Sequence, residues 1–239
     1  MNQNGESLAD RMKSYEPKVT ALARVPKGIR LDGRAFGTYL KNIKGEFNSF
    51  VKQAFVDAAI QLMEDIGGTA RVAYLQSDEC SIALNDFLDI NTQGWFGNNI
   101  VKMCSVSASI FTRHFNLQSP VKDNHAYFDA RIVPLPSISE LNNYFVWRQQ
   151  DGIRNSINKF ARQHYAHKEV EGRTCVEILE ALKLKGSPWE NLLPWEQRGV
   201  CIERDVDGKF KVNQNIPIFS KAPEYIACQF HSSNPSPAT

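Results

Sequence analysis

Two stretches decide the fold: Lys27-Gly28-Ile29-Arg30-Leu31-Asp32-Gly33-Arg34 and Arg71-Val72-Ala73-Tyr74-Leu75-Gln76-Ser77-Asp78-Glu79. Each is an apolar, strand-like run with an aspartate at its edge. Lys27–Asp32 reads as a short strand, and Gly33 permits a sharp turn after it. Arg71–Leu75 and Cys80–Leu84 read as two strands joined by a tight turn at Ser77–Asp78. Standing alone, either aspartate is a turn or capping residue. Held together at neighbouring strand ends, they can bind two Mg²⁺ ions roughly 3.5–4 Å apart, the geometry of in-line phosphoryl transfer.

Helical periodicity fills the gaps. Within Phe47–Ile66, the residues Val51, Phe55, Ala58, Leu62 and Ile66 share a face, and Gly67-Gly68 ends the run. Gly97–Phe115 repeats the pattern with Ile100, Met103, Val106, Ile110 and His114. Tyr127–Leu135 is a strand closed by Pro134 and Pro136. The order is β-α-β-β-α-β, an α+β, ferredoxin-like arrangement. Its first and third strands are central neighbours, so Asp32 and Asp78 meet at one end of the sheet.

The flanks are less regular. Residues 6–23 read as a helix with Leu8, Met12, Tyr15 and Val19 on one face and Pro17 splitting it. Ser137–Tyr165 is one long helix or two, opened by the Ser137/Glu140 capping box and interruptible at Gly152. Arg173–Leu184 is helical, Gly186–Pro194 a Pro/Trp-rich turn, Gly199–Arg204 a strand, and Asp207-Gly208 a hairpin turn. The expected division is 1–136 as a β-α-β-β-α-β unit with its N-terminal helix and 137–231 as a helical region with short strands packed on it. Residues 232–239 are a disordered tail.

A chain of 239 residues, 42% apolar and 23% charged, is an ordinary globular protein with a full core. The net charge of +2 does not announce nucleic acid, so a polyanion site must be a local patch; basic residues cluster over 148–162 and 167–173. Five scattered cysteines with no C-x-x-C pair suggest neither zinc nor disulfides and suit a reducing cytoplasm. The polar first ten residues show no secretory signal, and no run of about 18 apolar residues suggests a membrane span.

From the residues alone, Asp32 and Asp78 are candidate metal ligands, with the Gly33 carbonyl beside them. The small-residue turn Asp32-Gly33-Arg34-Ala35-Phe36-Gly37 offers backbone amides to a triphosphate. Ser77 can donate to a phosphate or close its own turn. Glu79 faces away from Asp78 by strand alternation and reads as a supporting partner, not a ligand. Lys102, Arg131, Arg148, Arg154 and Asn155 are candidate phosphate contacts and Trp147 a core residue.

The stretches Arg30-Leu31-Asp32-Gly33-Arg34-Ala35-Phe36, Gln76-Ser77-Asp78-Glu79, Trp95-Phe96-Gly97 with Lys102, Phe128-Asp129-Ala130-Arg131 and Trp147-Arg148-Gln149-Gln150-Asp151 occur in that order. Together they resemble the tRNA(His) guanylyltransferase family, over roughly residues 27–205. Arg154-Asn155-Ser156-Ile157, His167-Lys168-Glu169 and Arg198-Gly199-Val200-Cys201 resemble its bacterial and archaeal guanylyltransferase-like branch.

The resemblance implies a polymerase-type palm, two Mg²⁺ ions at Asp32, Gly33 and Asp78, ATP and GTP as substrates, tRNA as partner and a homotetramer. It implies nucleotide addition in the 3′–5′ direction: ATP activates the RNA 5′ end, and the 3′-hydroxyl of a nucleoside triphosphate attacks it. The resemblance further implies triphosphate or RNA as the ligand of Lys102, Arg131, Arg148, Arg154 and Asn155, and RNA for His167 and Lys168. Lys44 is similar in placement to a family lysine needed for activation. Where the eukaryotic enzymes carry His-Ile-Asn-Asn-Leu-Tyr-Asn, this chain has Ile153-Arg154-Asn155-Ser156-Ile157-Asn158-Lys159, and Gly97-Asn98-Asn99 replaces a frequent Gly-Gly-Arg. The first departure, with Ile153 at the histidine position, points to templated repair of 5′-truncated tRNAs, and the second removes one phosphate or RNA contact. The alternatives are strict addition of one G to tRNA(His), a palm-fold nucleotide cyclase needing no RNA, and a non-catalytic RNA-binding relative.

Overall fold

The computed structural model describes residues 7–41, 47–119, 124–205 and 207–230. In chain order the elements are α1 (Leu8–Ser14), β1 (Lys27–Gly33), α2 (Phe36–Lys41), α3 (Phe47–Ile66), β2 (Ala70–Gln76), β3 (Glu79–Leu84), α4 (Ile100–Gln118) and β4 (Phe128–Pro134). Then come α5 (Ile138–His164), α6 (His167–Val170), α7 (Cys175–Leu184), α8 (Pro194–Arg198), β5 (Val200–Arg204), β6 (Phe210–Asn213) and α9 (Glu224–Cys228). The strands make one antiparallel sheet in the order β4-β1-β3-β2-β5-β6. Its first four strands have the ferredoxin-like order expected from the periodicities. The β5–β6 hairpin, turned through Gly208 at φ 80°, extends the sheet beyond β2, so residues after 136 build part of the same sheet.

Helices α3 and α4 cover one sheet face. Their apolar stripes bury Val51, Phe55, Leu62, Met103, Phe111 and Phe115 against Ile29, Leu31, Ala73, Leu75 and Ile82. Five phenylalanines interlock there. The Phe111–Phe128 centroids lie 4.9 Å apart, Phe55–Phe115 5.2 Å and Phe36–Phe115 5.6 Å, all edge-on. Such pairs contribute about 0.5–1.5 kcal/mol each beyond area burial. Phe36 belongs to this cluster, so the loop after Asp32 is anchored in the core. On the other face, Tyr144 and Phe145 of α5 pack with Val72, Tyr74, Ala83 and the C-terminal residues Ile216, Phe219 and Ile226. A third cluster joins α5 (Ile157, Ala161) to Val170 of α6 and to Ile178 and Leu182 of α7.

Two boundaries differ from the sequence reading. The helix expected over 6–23 is only α1, capped by Ser7, and it buries none of its residues. Pro17 cannot continue it, and the chain beyond is drawn into other bonds: Ala21 N–H donates to Asn98 O at 2.8 Å and Ile100 N–H to Val19 O at 2.9 Å. The second helix starts at Ile100, not Gly97, because Phe96, Gly97 and Asn98 hold φ of 50°, 58° and 62°. An asparagine tolerates that left-handed region better than most residues. Asn98 is buried with its amide on Asp86, and Asn99 caps α4, which accounts for both departures from Gly-Gly-Arg in local terms.

Gly152 does not interrupt α5. A Cβ there would lie 2.8 Å from Gln76 Oε1 and 3.0 Å from Tyr74 Oη, so the glycine admits the helix close to β2. Gly199 precedes β5 at φ 85°, ψ −169°, and a Cβ would stand 2.4 Å from the Leu75 carbonyl oxygen. That conformation is essentially restricted to glycine. Gly199→Ala is expected to cost about 1–3 kcal/mol or more of stability, read as a lower urea midpoint at unchanged slope. Among the described residues, no helix is long and apolar enough to cross a membrane.

Candidate active site

Asp32 ends β1 and Asp78 sits in the two-residue turn between β2 and β3. Because β1 pairs with β3 in the register Asp32↔Glu79, and Gly33 N–H donates to the Asp78 carbonyl at 2.9 Å, the two aspartates are neighbours. Ser77 is exposed beside them at φ 51°. On the other flank Asp32 pairs in register with Asp129 and Arg30 with Arg131 of β4, so all four share a face. Arg131 and Asp129 are paired at 3.5 Å and both are largely exposed. Partial burial raises the Asp32 pKa; Arg30 opposes this, while Asp78 and Asp129 add to it.

Among the described residues, no group of three or more His, Cys, Asp or Glu side chains is arranged to hold a metal. The donor set on offer is two carboxylates and main-chain oxygen. It fits Mg²⁺, which takes few protein oxygens and leaves positions for phosphate and water. Gly33 has no positive φ; the need for glycine is spatial, since a Cβ would fall 2.6 Å from the Phe36 ring.

A cavity of about 610 Å³ opens beside Asp78, between α2–α3, the second half of α5 and α8. Leu40, Val51, Phe36 and Trp195 supply an apolar side, and Lys52, Asn155, Lys159 and Arg162 a polar, cationic one. Lys52 lies 4.1 Å from the Trp195 ring centroid. Protein crowds Lys159 although solvent reaches it through the mouth. That desolvation lowers its pKa, while Glu196 and Asp78 act in the opposite direction. Sequence reasoning found Asn155 but missed Lys159, Gln163, Lys52 and Trp195. Gly152, Asn155, Lys159 and Gln163 recur at helical spacing on α5, a signal that was available.

Other expected contacts need correction. Arg148 is only 3% exposed, bonded to Glu79 at 2.7 Å and flat on Trp147, so it presents nothing to RNA; Trp147, read as core, is 52% exposed. Lys102 stands in the first turn of α4, next to Asn98 and the Lys27–Asp86 pair, at the far end of β1 from Asp32. Five residues of strand separate those ends by about 17 Å, so Lys102 does not reach phosphates at the aspartates. In the turn over 32–37, the Gly33 amide is spent on Asp78 and the Arg34 amide on Tyr127 O at 2.8 Å. Phe36 is buried, leaving Gly37, which lines the cavity, and the backbone of Ala35 and Phe36. Arg154 is exposed and paired with Asp151; His167, 3.7 Å from Glu171, and Lys168 are exposed on α6. Lys44 lies outside the described residues, as does the 232–239 tail. Ile153 packs with the third cluster instead of lining the cavity.

A model of the family described as tRNAHis guanylyltransferase matches residues 9–136. The chain belongs to the tRNA(His) guanylyltransferase family. Within the family, a probable tRNA(His) guanylyltransferase from Mus musculus is 27% identical over 187 residues, 74% of this chain and 60% of its own length. The chain spans between half and two thirds of the length of the curated relatives it matches. A bacterial tRNA(His) guanylyltransferase-like protein in complex with ATP superposes with a TM-score of 0.87 at 36% identity, over 94% of this chain and all of that one. A bacterial guanylyltransferase-like protein in complex with GTP gives 0.79 at 34% identity over the same shares. The palm-like fold is thus that of the guanylyltransferase-like structures.

Proposed function

We propose that this chain is a nucleotidyltransferase adding nucleotides to tRNA 5′ ends in the 3′–5′ direction. The observation that carries the reading is the convergence of Asp32 with Asp78, which lines the 610 Å³ cavity. Mg²⁺ ions held by Asp32, Asp78 and the Gly33 carbonyl would neutralise phosphate charge and favour ionisation of the attacking hydroxyl. Lys159, Arg162 and Lys52 bind triphosphate charge in the cavity, and Ser77 and the Gly37 amide donate to phosphate oxygens. Trp195 and Leu40 pack against a nucleobase. Arg131, Arg154, Asn155, His167 and Lys168 provide the polar surface for RNA.

ATP first transfers its AMP group to a 5′-monophosphate, releasing pyrophosphate. The 3′-hydroxyl of GTP then attacks the activated 5′ phosphate, its proton passing to solvent. AMP leaves, or pyrophosphate when the RNA already carries a 5′-triphosphate. The new end keeps the triphosphate of the added nucleotide. The ATP- and GTP-bound relatives support both substrates.

We further infer that templating comes from pairing with the opposite acceptor strand and not from the His anticodon. Ile153 has no polar group with which to read RNA, and a site lacking such contacts discriminates little. Truncated tRNAs differing only in anticodon should be extended alike, and G should enter well opposite C. A strong preference for the His anticodon, or G addition opposite A but not C, would contradict the repair reading. Assembly as a cytoplasmic homotetramer, with tRNA spanning subunits, belongs to the same reading. The exposed Leu8, Met12, Tyr15, Val19 and Leu22 support it as apolar surface available for burial. Light scattering should give four copies; a fully active monomer would reject it.

A further inference from the structure

Behind Asp32 runs an alternating chain of charged groups. Arg30 Nη2 donates to Asp32 Oδ2 at 2.9 Å, and its Nε donates to Glu79 Oε2 at 2.8 Å. The same Glu79 oxygen accepts from Arg148 Nη1 at 2.7 Å, and Arg148 Nη2 stands 3.7 Å from Asp151 Oδ2. The Arg148 guanidinium carbon is 3.6 Å from the Trp147 ring centroid. Strand β1 contributes Arg30 and Asp32, β3 contributes Glu79, and α5 contributes Arg148 and Asp151.

We propose that Arg148 is a positioning residue for the Asp32 end of the active site, acting through Glu79 and Arg30. A guanidinium is a rigid planar fork. With its Nε held by Glu79, the remaining edge of Arg30 has one direction in which to meet Asp32, so fixing Glu79 fixes the Asp32 carboxylate. Arg148 is what holds Glu79 from the helix side. It comes from an element anchored in the core through Tyr144 and Phe145, and it is stacked and buried. Filling space does not account for it: a buried charge is a costly filler, and its Nε has no hydrogen-bond partner among the described residues. Ser81, 3.4 Å from the other Glu79 oxygen and 3.0 Å from Tyr144 Oη, steadies the carboxylate on its second side.

The inference rests on the reading of Asp32 and Asp78 as the metal site, so the experiment separates the two. Mn²⁺ binding to the metal-free full chain is measured by the paramagnetic resonance of free Mn²⁺, with folding followed by circular dichroism. Wild type should bind Mn²⁺, and Asp78→Asn should lose that binding. Arg148→Met should weaken binding by about 10- to 100-fold, the usual effect of removing a group that orients a metal ligand. Charge alone predicts the opposite sign, since deleting a nearby cation draws another cation in more tightly. Arg148→Lys, with a point charge but no fork, should recover part of the loss.

Removing one partner leaves Glu79 buried and uncompensated, whereas Arg148→Met with Glu79→Gln removes both. The double variant therefore stays testable if the single one fails to fold. It should bind Mn²⁺ no more weakly than Glu79→Gln alone, because the two residues act in series. Asp78-dependent binding that Arg148→Met leaves unchanged or tightens would overturn the positioning role, and independent, multiplying effects would overturn the route through Glu79. Wild type without Asp78-dependent binding would instead overturn the metal-site reading, and this inference with it.

Discussion

Asp78→Ala, and separately Asp32→Ala, should abolish nucleotide addition, by about a thousandfold or more, while leaving the fold intact. Charge stabilisation at such a site is worth several kcal/mol, and each tenfold in rate corresponds to about 1.4 kcal/mol. Asp78 lies half-buried in a two-residue turn and lines the open cavity, outside the buried apolar clusters, so truncating it leaves no enclosed void in the core. The metal-free variant should melt no lower than wild type. Asp32 already has a raised pKa, through burial first and then through the charges of Asp78 and Asp129, and removing Asp78 relieves that repulsion. Single-turnover extension of a 5′-truncated tRNA together with a melting curve checks both halves. Near-normal extension by either folded variant would defeat the assignment.

Asp86→Ala should have the opposite profile: heavy loss of stability at a point remote from the chemistry. Lys27 is 1% exposed and its ammonium lies 2.8 Å from Asp86 Oδ2, whose own side chain is 5% exposed. The same oxygen accepts from Asn98 Nδ2 at 3.1 Å and from the Arg24 amide at 3.2 Å. One carboxylate therefore fastens the entry to β1, the segment before it and the left-handed turn leading into α4. Its removal strands a buried ammonium with, among the described residues, the Val25 carbonyl as its remaining bond.

Breaking such a pair costs about 3–5 kcal/mol, a large part of the roughly 5–15 kcal/mol typical of a whole domain. Denaturant melts should show it directly. The pH dependence has a definite sign. Burial pushes the Asp86 pKa up, but the bonds from Lys27, Asn98 and the Arg24 amide outweigh it and hold the pKa below the ordinary 3.8. The contribution is fully present above that ordinary value and fades as pH falls through the lower folded one. The gap between wild type and Asp86→Asn should therefore narrow below pH 3.8; a gap constant down to acid unfolding would refute this role.

The core of the fold was legible because two periods alternate cleanly. Strand runs such as Arg71–Leu75 and the helical stripe from Val51 to Ile66 leave one order of elements, and that order alone brings Asp32 beside Asp78. Long-range pairing was not legible. Arg148 reads as a surface arginine in a basic helix; its buried role depends on Glu79, 69 positions away, and on the angle at which α5 crosses the sheet. Lys102 failed for a directional reason: α4 runs toward the active-site end, so its first turn is distant. The cavity wall escaped because Trp195 sits on α8, five residues with too little length to show a pattern. At the N-terminus the apolar spacing of Leu8 to Val19 was real, but Pro17 and the bonds to residues 98–100 claimed the backbone first.

The most direct test follows the γ-phosphate. A tRNA lacking its first nucleotide and bearing a 5′-triphosphate is incubated with Mg²⁺ and γ-labelled GTP. Addition in the 3′–5′ direction expels pyrophosphate from the RNA and leaves the incoming triphosphate at the new 5′ end. The RNA should grow by one nucleotide and retain the γ label, in a reaction lost in the Asp32 and Asp78 variants. Growth at the 3′ end with the label released as pyrophosphate, or GTP turnover that needs no RNA, would contradict the account.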